Sequence, residues 1–135
     1  MLRSSGYDST DPTAWVSYAR SDLALAATEP PAGVYLELLC YHAQQAAEKA
    51  LKAVILASSD LNVPRTHDIA LLAKIARDLG LTPPLDMAGA RSLTQYATIT
   101  RYPADLGEVD EAEWQRAVAD ARAVVEWAER ELAHS

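Results

Sequence analysis

The sequence predicts an all-helical fold, an up-and-down bundle of four or five helices. Three observations carry this. Apolar residues recur at intervals of three and four along most of the chain. Residues suited to starting or stopping a helix stand at the edges of those runs. No stretch alternates apolar and polar residues as a half-buried strand does. With 135 residues and no longer repeat, the chain has the length for one core and not for two. We expect a disordered N-terminus over residues 1–10 and one helical domain over residues 11–135.

Asp11 offers a carboxylate to free helical amides and Pro12 suits the first helical position, so a first helix starts here, with Trp15, Ala19, Leu23 and Ala26 on one face. The break Pro30-Pro31-Ala32-Gly33 ends it. A second helix is expected from about Val34 to about Ser58, with a mostly alanine stripe of Tyr35, Leu39, Ala43, Ala46, Ala50, Ala53 and Ala57 that lets a neighbouring helix come close. Thr66 or Asp68 can cap a third helix with Ile69, Leu72, Ile75 and Leu79 inward, closed by Gly80. Pro83-Pro84 opens a fourth, expected over about Leu85 to Thr98 and ending before Tyr102-Pro103, because the residue before a proline disfavours helical geometry. Asp110 with Glu113 resembles a capping box at the head of the last helix. Its stripe runs through Trp114, Ala117, Val118, Ala121, Val124, Val125, Ala128 and Leu132. Trp127 falls off that stripe, beside Arg116 and Asp120, and offers either a second packing surface or a surface for a partner.

Composition excludes several function classes. Twelve Lys and Arg stand against 19 Asp and Glu, giving a formal net charge of -7 and a pI of about 4.8, so a phosphate ligand has to meet a local basic cluster. The single cysteine, Cys40, lies inside an alanine-rich helix, which suits a reducing cytoplasm and a place in the core. No apolar run approaches the roughly 18 residues of a membrane span, and the first ten residues lack the apolar middle of a secretion signal. Serine nucleophile elbows, phosphate-cradling glycine loops and zinc cysteine pairs do not occur. Glu131 and His134 have the E-x-x-H spacing of bundle di-iron sites, but such sites need a second copy and two further glutamates, so no metal and no cofactor is expected.

The second helix carries the main candidate. Leu38, His42, Gln45, Lys49, Lys52 and Leu56 fall within about 80° of one another at 3.6 residues per turn, a strip down one flank. Two lysines with an imidazole and an amide in line can hold a phosphate and hydrogen-bond a base or sugar. Equally, Glu48 can pair with Lys52 four residues on and leave the rest solvated or at a dimer seam. His67, before the third helix, can meet an anion at free amides or merely orient its loop. Arg101, in the stiff Arg101-Tyr102-Pro103 corner, can present a guanidinium to phosphate or be absorbed by Asp105, Glu108, Asp110 and Glu111.

The run from His42 through Gln45, Glu48 and Lys49 to Lys52, then Thr66-His67-Asp68, then Arg101-Tyr102-Pro103 together resemble the HEPN family (higher eukaryotes and prokaryotes nucleotide-binding). The likeness runs from about Trp15 to Leu132. It implies a helical bundle that pairs as a homodimer, with a nucleotide-binding or toxin-like role beside a minimal nucleotidyltransferase partner. It also brings His42, Gln45, Lys49, Lys52, His67 and Arg101 together as a set that binds nucleotide or RNA.

One departure bears on activity. RNase members of that family carry an arginine followed after four to six residues by a histidine near the start of the last long helix. Here no histidine follows Arg101 until His134, and Arg130 and His134 enclose only three residues at the far end of that helix. Without the imidazole, Arg101 can stabilise phosphate charge but has no general base beside it. Nor does Tyr102 have the spacing of the tyrosine that partner nucleotidyltransferases modify. The expected function is therefore a nucleotide-binding or partner-binding module of a toxin-antitoxin-like pair, with no catalytic residue. The alternatives are a metal-independent RNase in which His67 or His42 stands in for the missing histidine, and a purely structural dimeric interaction protein.

Overall fold

The structure is a computed structural model that describes residues 10–59, 62–98 and 109–134. The expected disorder of residues 1–10 concerns, except for Thr10, residues outside this set, as do Arg101-Tyr102-Pro103, Asp105 and Glu108. Five helices are present among the described residues, α1 (Pro12–Ala26), α2 (Leu36–Ser58), α3 (Ile69–Asp78), α4 (Met87–Thr94) and α5 (Glu111–Ala133), and these residues contain no strand. No helix of the described residues is long and apolar enough to cross a membrane.

The caps act as the sequence predicts. The Asp11 carboxylate accepts from the Thr13 amide at 2.9 Å, and Pro12 opens α1. Of the two residues able to start α3, Asp68 is the cap, accepting from the amides of Ala70 and Leu71, while Thr66 accepts from Asp68. Gly80 (φ 89°) ends α3: its amide donates to the Arg77 carbonyl and that of Leu81 to the Ala76 carbonyl, the paired hydrogen bonds of a Schellman turn. At the head of α5 one half of the expected capping box forms, the Asp110 carboxylate accepting from the Glu113 amide at 2.8 Å, while the Glu113 carboxylate accepts from Tyr96.

α2 is the axis of the molecule, since it packs against α1, α3, α4 and α5. Leu39, Ala43, Ala46, Ala50 and Ala53 of the expected stripe are buried, while Tyr35 and Ala57 at its ends are exposed. Burial extends well beyond that stripe to Cys40, Gln44, Ala47, Glu48, Leu51 and Ile55, because helices lie on several sides. Trp114 ties the first helix to the last, its indole N–H donating to the Ala26 carbonyl at 2.8 Å. Arg20 and Glu129 pair across the surface between the same two helices.

One expectation needs correction and one choice is settled. α4 spans Met87–Thr94 and not Leu85 to Thr98. Asp86 caps it by accepting from the Gly89 amide at 2.7 Å, and beyond Thr94 the chain tightens so that Tyr96 enters the core and hydrogen-bonds the Glu113 carboxylate. Trp127 packs within the chain: it is 5% exposed and belongs to the core. The reason is that α5 meets α1, α2 and α4, so its buried arc is wider than its apolar stripe.

Candidate functional site

The strip on α2 is neither a wet face nor a row of free cations. It is organised by two acids. Asp22 on α1 is 9% exposed and takes both His42, whose Nδ1 lies 3.0 Å from Oδ1, and Lys49, whose Nζ lies 2.6 Å from Oδ2. Lys49 also stands 5.7 Å from the centre of the Tyr18 ring, and the rings of Tyr41 and His42 meet edge to face. A turn further along α2, Glu48 is 4% exposed and takes Lys52 at 2.8 Å. Lys52, itself 6% exposed, lies 5.8 Å from the centre of the Trp15 ring.

Glu48 is the hub of the second cluster. Gln44, fully buried, donates from Nε2 to Glu48 at 2.9 Å and to the His67 carbonyl at 3.1 Å. Gln45 donates to the Gln44 side-chain oxygen at 2.8 Å. His67 Nδ1 lies 3.0 and 3.2 Å from the two Glu48 oxygens, although the His67 side chain is 70% exposed. Burial pushes the Glu48 carboxyl up, yet hydrogen bonds from Lys52, Gln44 and His67 together with the Lys52 charge outweigh it and hold the group below its ordinary value. Glu48 is therefore ionised at neutral pH. An ionised carboxylate only accepts, so His67 Nδ1 carries the hydrogen and Nε2 is the ring's open nitrogen in the neutral form.

The structure thus gathers Gln45, Lys52 and His67 around Glu48 and places His42 and Lys49 on Asp22; Arg101 lies outside the described residues. The Glu48–Lys52 pair that spacing allows does form, and it is buried; the rest of the strip is not simply solvated, since His42 and Lys49 are held by Asp22. Two residues escaped the reading of the sequence. Asp22 had a signal, since it sits three residues after Ala19 and four before Ala26 on their own apolar face, where an acid needs a partner. Gln44 had half a signal, since Glu48 lies four residues on along the same helix, but its other acceptor, the His67 carbonyl, belongs to a loop 23 residues away.

Cys40, fully buried, is a core thiol whose pKa burial, chiefly, pushes up to about 12. It adjoins Tyr96, whose hydroxyl burial and the Glu113 carboxylate push up, and neither group offers a nucleophile.

The HEPN domain model matches residues 13–131, and the chain belongs to that family. The chain is also similar to a solved structure described as the crystal structure of TT1696 from Thermus thermophilus. Identity there is 28% and the TM-score 0.66, over 89% of this chain and 97% of that one. No curated protein matches the chain.

Proposed function

We propose that the chain is a nucleotide-binding or partner-binding HEPN module, working as a homodimer beside a minimal nucleotidyltransferase in a toxin-antitoxin-like pair, without RNase chemistry of its own. His42, Gln45, Lys49, Lys52 and His67 make up the proposed ligand site, with His67 the most open of them, and Arg101, outside the described residues, is added to it by the family resemblance alone. The observation that carries this reading is the buried polar network on α2. Gln44, Glu48 and Lys52 are 0, 4 and 6% exposed and end on an exposed imidazole. A bundle does not need such a network for stability, since apolar residues in place of a buried ion pair are often as stabilising. What the network supplies is a fixed imidazole on the surface.

The lack of RNase chemistry rests on the sequence after Arg101, which has no histidine until His134. Calorimetric titration of the pure chain with ATP and with short single-stranded RNA tests the binding, and a gel assay on the same RNA with chelator tests cleavage. We expect saturable binding of ATP and intact RNA. Robust metal-independent cleavage that disappears in Arg101→Ala would overturn the non-catalytic part.

A second reading has one observation in its favour. A carboxylate on Nδ1 orients an imidazole as a general base, and His67 is held in that way by Glu48. In that case His67 takes the place of the missing histidine, and His67→Ala abolishes cleavage in the same assay.

A further inference from the structure

A cavity of about 500 Å³ opens at the corner between the start of α1, the C-terminal half of α2 and the loop that leads to α3, lined by Trp15, Lys52, Leu56, Asn62, Pro64 and Arg65 among others. Its size falls within the range of small-ligand sites. Glu48 links it to His67, because the same carboxylate oxygen lies 2.8 Å from Lys52 Nζ and 3.2 Å from His67 Nδ1. His67 does not itself line the cavity; it adjoins it through Glu48 and through Arg65, two residues before it in the chain. Its Nδ1 is turned to a buried carboxylate, so the exposed part of the ring carries Nε2, an acceptor in the neutral tautomer.

Charge narrows the ligand. Lys49 and Lys52 are each neutralised by an acid, whereas Arg65 is exposed and makes no ion pair or hydrogen bond with any described residue. A chain of formal net charge -7 repels a polyanion, whose affinity depends on many phosphate contacts. One open guanidinium matches one phosphate group. Beside it lie an aromatic ring that can stack on a base and the Asn62 amide, which can read a base edge.

We propose that this corner is a site for a single ribonucleotide: the cavity takes the base against Trp15, Arg65 holds the phosphate, and Nε2 of His67 accepts a hydrogen bond from a ribose hydroxyl. Glu48 and Gln44 are positioning residues, since they fix the ring and its loop without facing the ligand. The proposal rests on the nucleotide-binding reading above, but it adds Arg65 and sets the ligand at the Lys52 end of the strip, away from His42 and Lys49.

The test titrates the four ribonucleoside 5′-monophosphates and their 2′,3′-dideoxy counterparts into the full chain, as wild type and as the Arg65→Ala, His67→Ala and Lys49→Ala variants. Circular dichroism checks the fold of each variant. The wild type should prefer the ribose form by roughly tenfold, the value of one lost hydrogen bond to a charged or well-fixed partner. Arg65→Ala should weaken ribose and dideoxy forms alike, roughly tenfold or more. His67→Ala should bring the ribose form down to the dideoxy affinity. Binding that survives Arg65→Ala and His67→Ala but weakens in Lys49→Ala overturns the proposal and leaves the nucleotide-binding reading in place. No binding of any nucleotide by the wild type removes both. Independently of any ligand, nitrogen spectra of the imidazole should show His67 with hydrogen on Nδ1; hydrogen on Nε2 in the neutral ring overturns the proposal by itself.

Discussion

Asp22 and Glu48 each hold two basic side chains against α2, but only Glu48 is shut in by its own helix and a buried glutamine. Its carboxyl is held below the ordinary glutamate value of 4.5, so the folded state binds its proton less readily than the unfolded state. The stability this supplies is present above that value and is lost as pH falls through the lower folded one. Glu48→Gln should therefore flatten the acid limb of a stability-versus-pH curve measured by urea denaturation; an unchanged limb would show that other carboxylates set it. Asp120 is the opposite case. Burial, then the nearby Asp86, push its pKa up, against the pull of Arg116, so its charge costs stability above the unfolded value and protonation relieves that cost as pH falls. Asp120→Asn should raise the urea midpoint at pH 7 and lose that advantage in acid. At this scale the candidate site was half legible. Spacing alone aligns His42, Gln45, Lys49 and Lys52, whereas the acids that claim them come from α1 and from a flank of α2 that a one-sided helix would leave in water. His67 joins them through tertiary folding, which helical period cannot express.

Helix ends were the most readable elements because their chemistry is local. Asp11, Asp68 and Asp110 each accept from amides two or three residues on, and Gly80 takes the left-handed conformation at the end of α3; Asp86, the cap of α4, is the exception, passed over in the sequence in favour of Pro83-Pro84. A methyl group at Gly80 would meet nothing within 4 Å, so Gly80→Ala isolates the backbone contribution. It should lower stability by about 1–2 kcal/mol in chemical denaturation, the cost of a left-handed residue with a Cβ. A loss near zero would mean that the Schellman turn rearranges freely. Gly89 differs in kind: a Cβ there would lie 3.0 Å from Leu85 Cδ1 and 3.1 Å from Asp120 Oδ2, so its smallness lets α4 approach α5. The length of α4 was misjudged for a long-range reason. Residues 95–98 can continue a helix by propensity, but Tyr96 is drawn inward to Glu113 of α5, and that contact outweighs the few tenths of a kcal/mol at stake in local preference. Of the two alternatives for Trp127, a packing surface within the chain is the one realised, for the same kind of reason, since the partners around α5, and not its apolar stripe, decide how wide an arc is buried.

For the whole molecule the family match over residues 13–131 gives the bundle its class, while assembly is a separate matter. With Trp127 inside the core, it no longer supplies apolar surface for pairing. The proposed homodimer then draws on the exposed start of α2 and the residues before it, where Val34, Tyr35 and Leu38 are 37, 69 and 40% exposed. Sedimentation at micromolar concentration should give twice the 14.6 kDa of one chain, and a monomer there would remove the dimer. The three tryptophans are also unequally placed: Trp114 and Trp127 are 6 and 5% exposed, whereas Trp15 is half-buried and lines the cavity. The protein therefore carries its own optical probe of that corner. Acrylamide should quench a minor, accessible share of the emission first and leave a shielded remainder, giving a downward-curved Stern–Volmer plot. Trp15→Phe should straighten that plot without altering the helical circular dichroism, and any small molecule that enters the cavity should then be read from one fluorophore, with the other two as an internal reference.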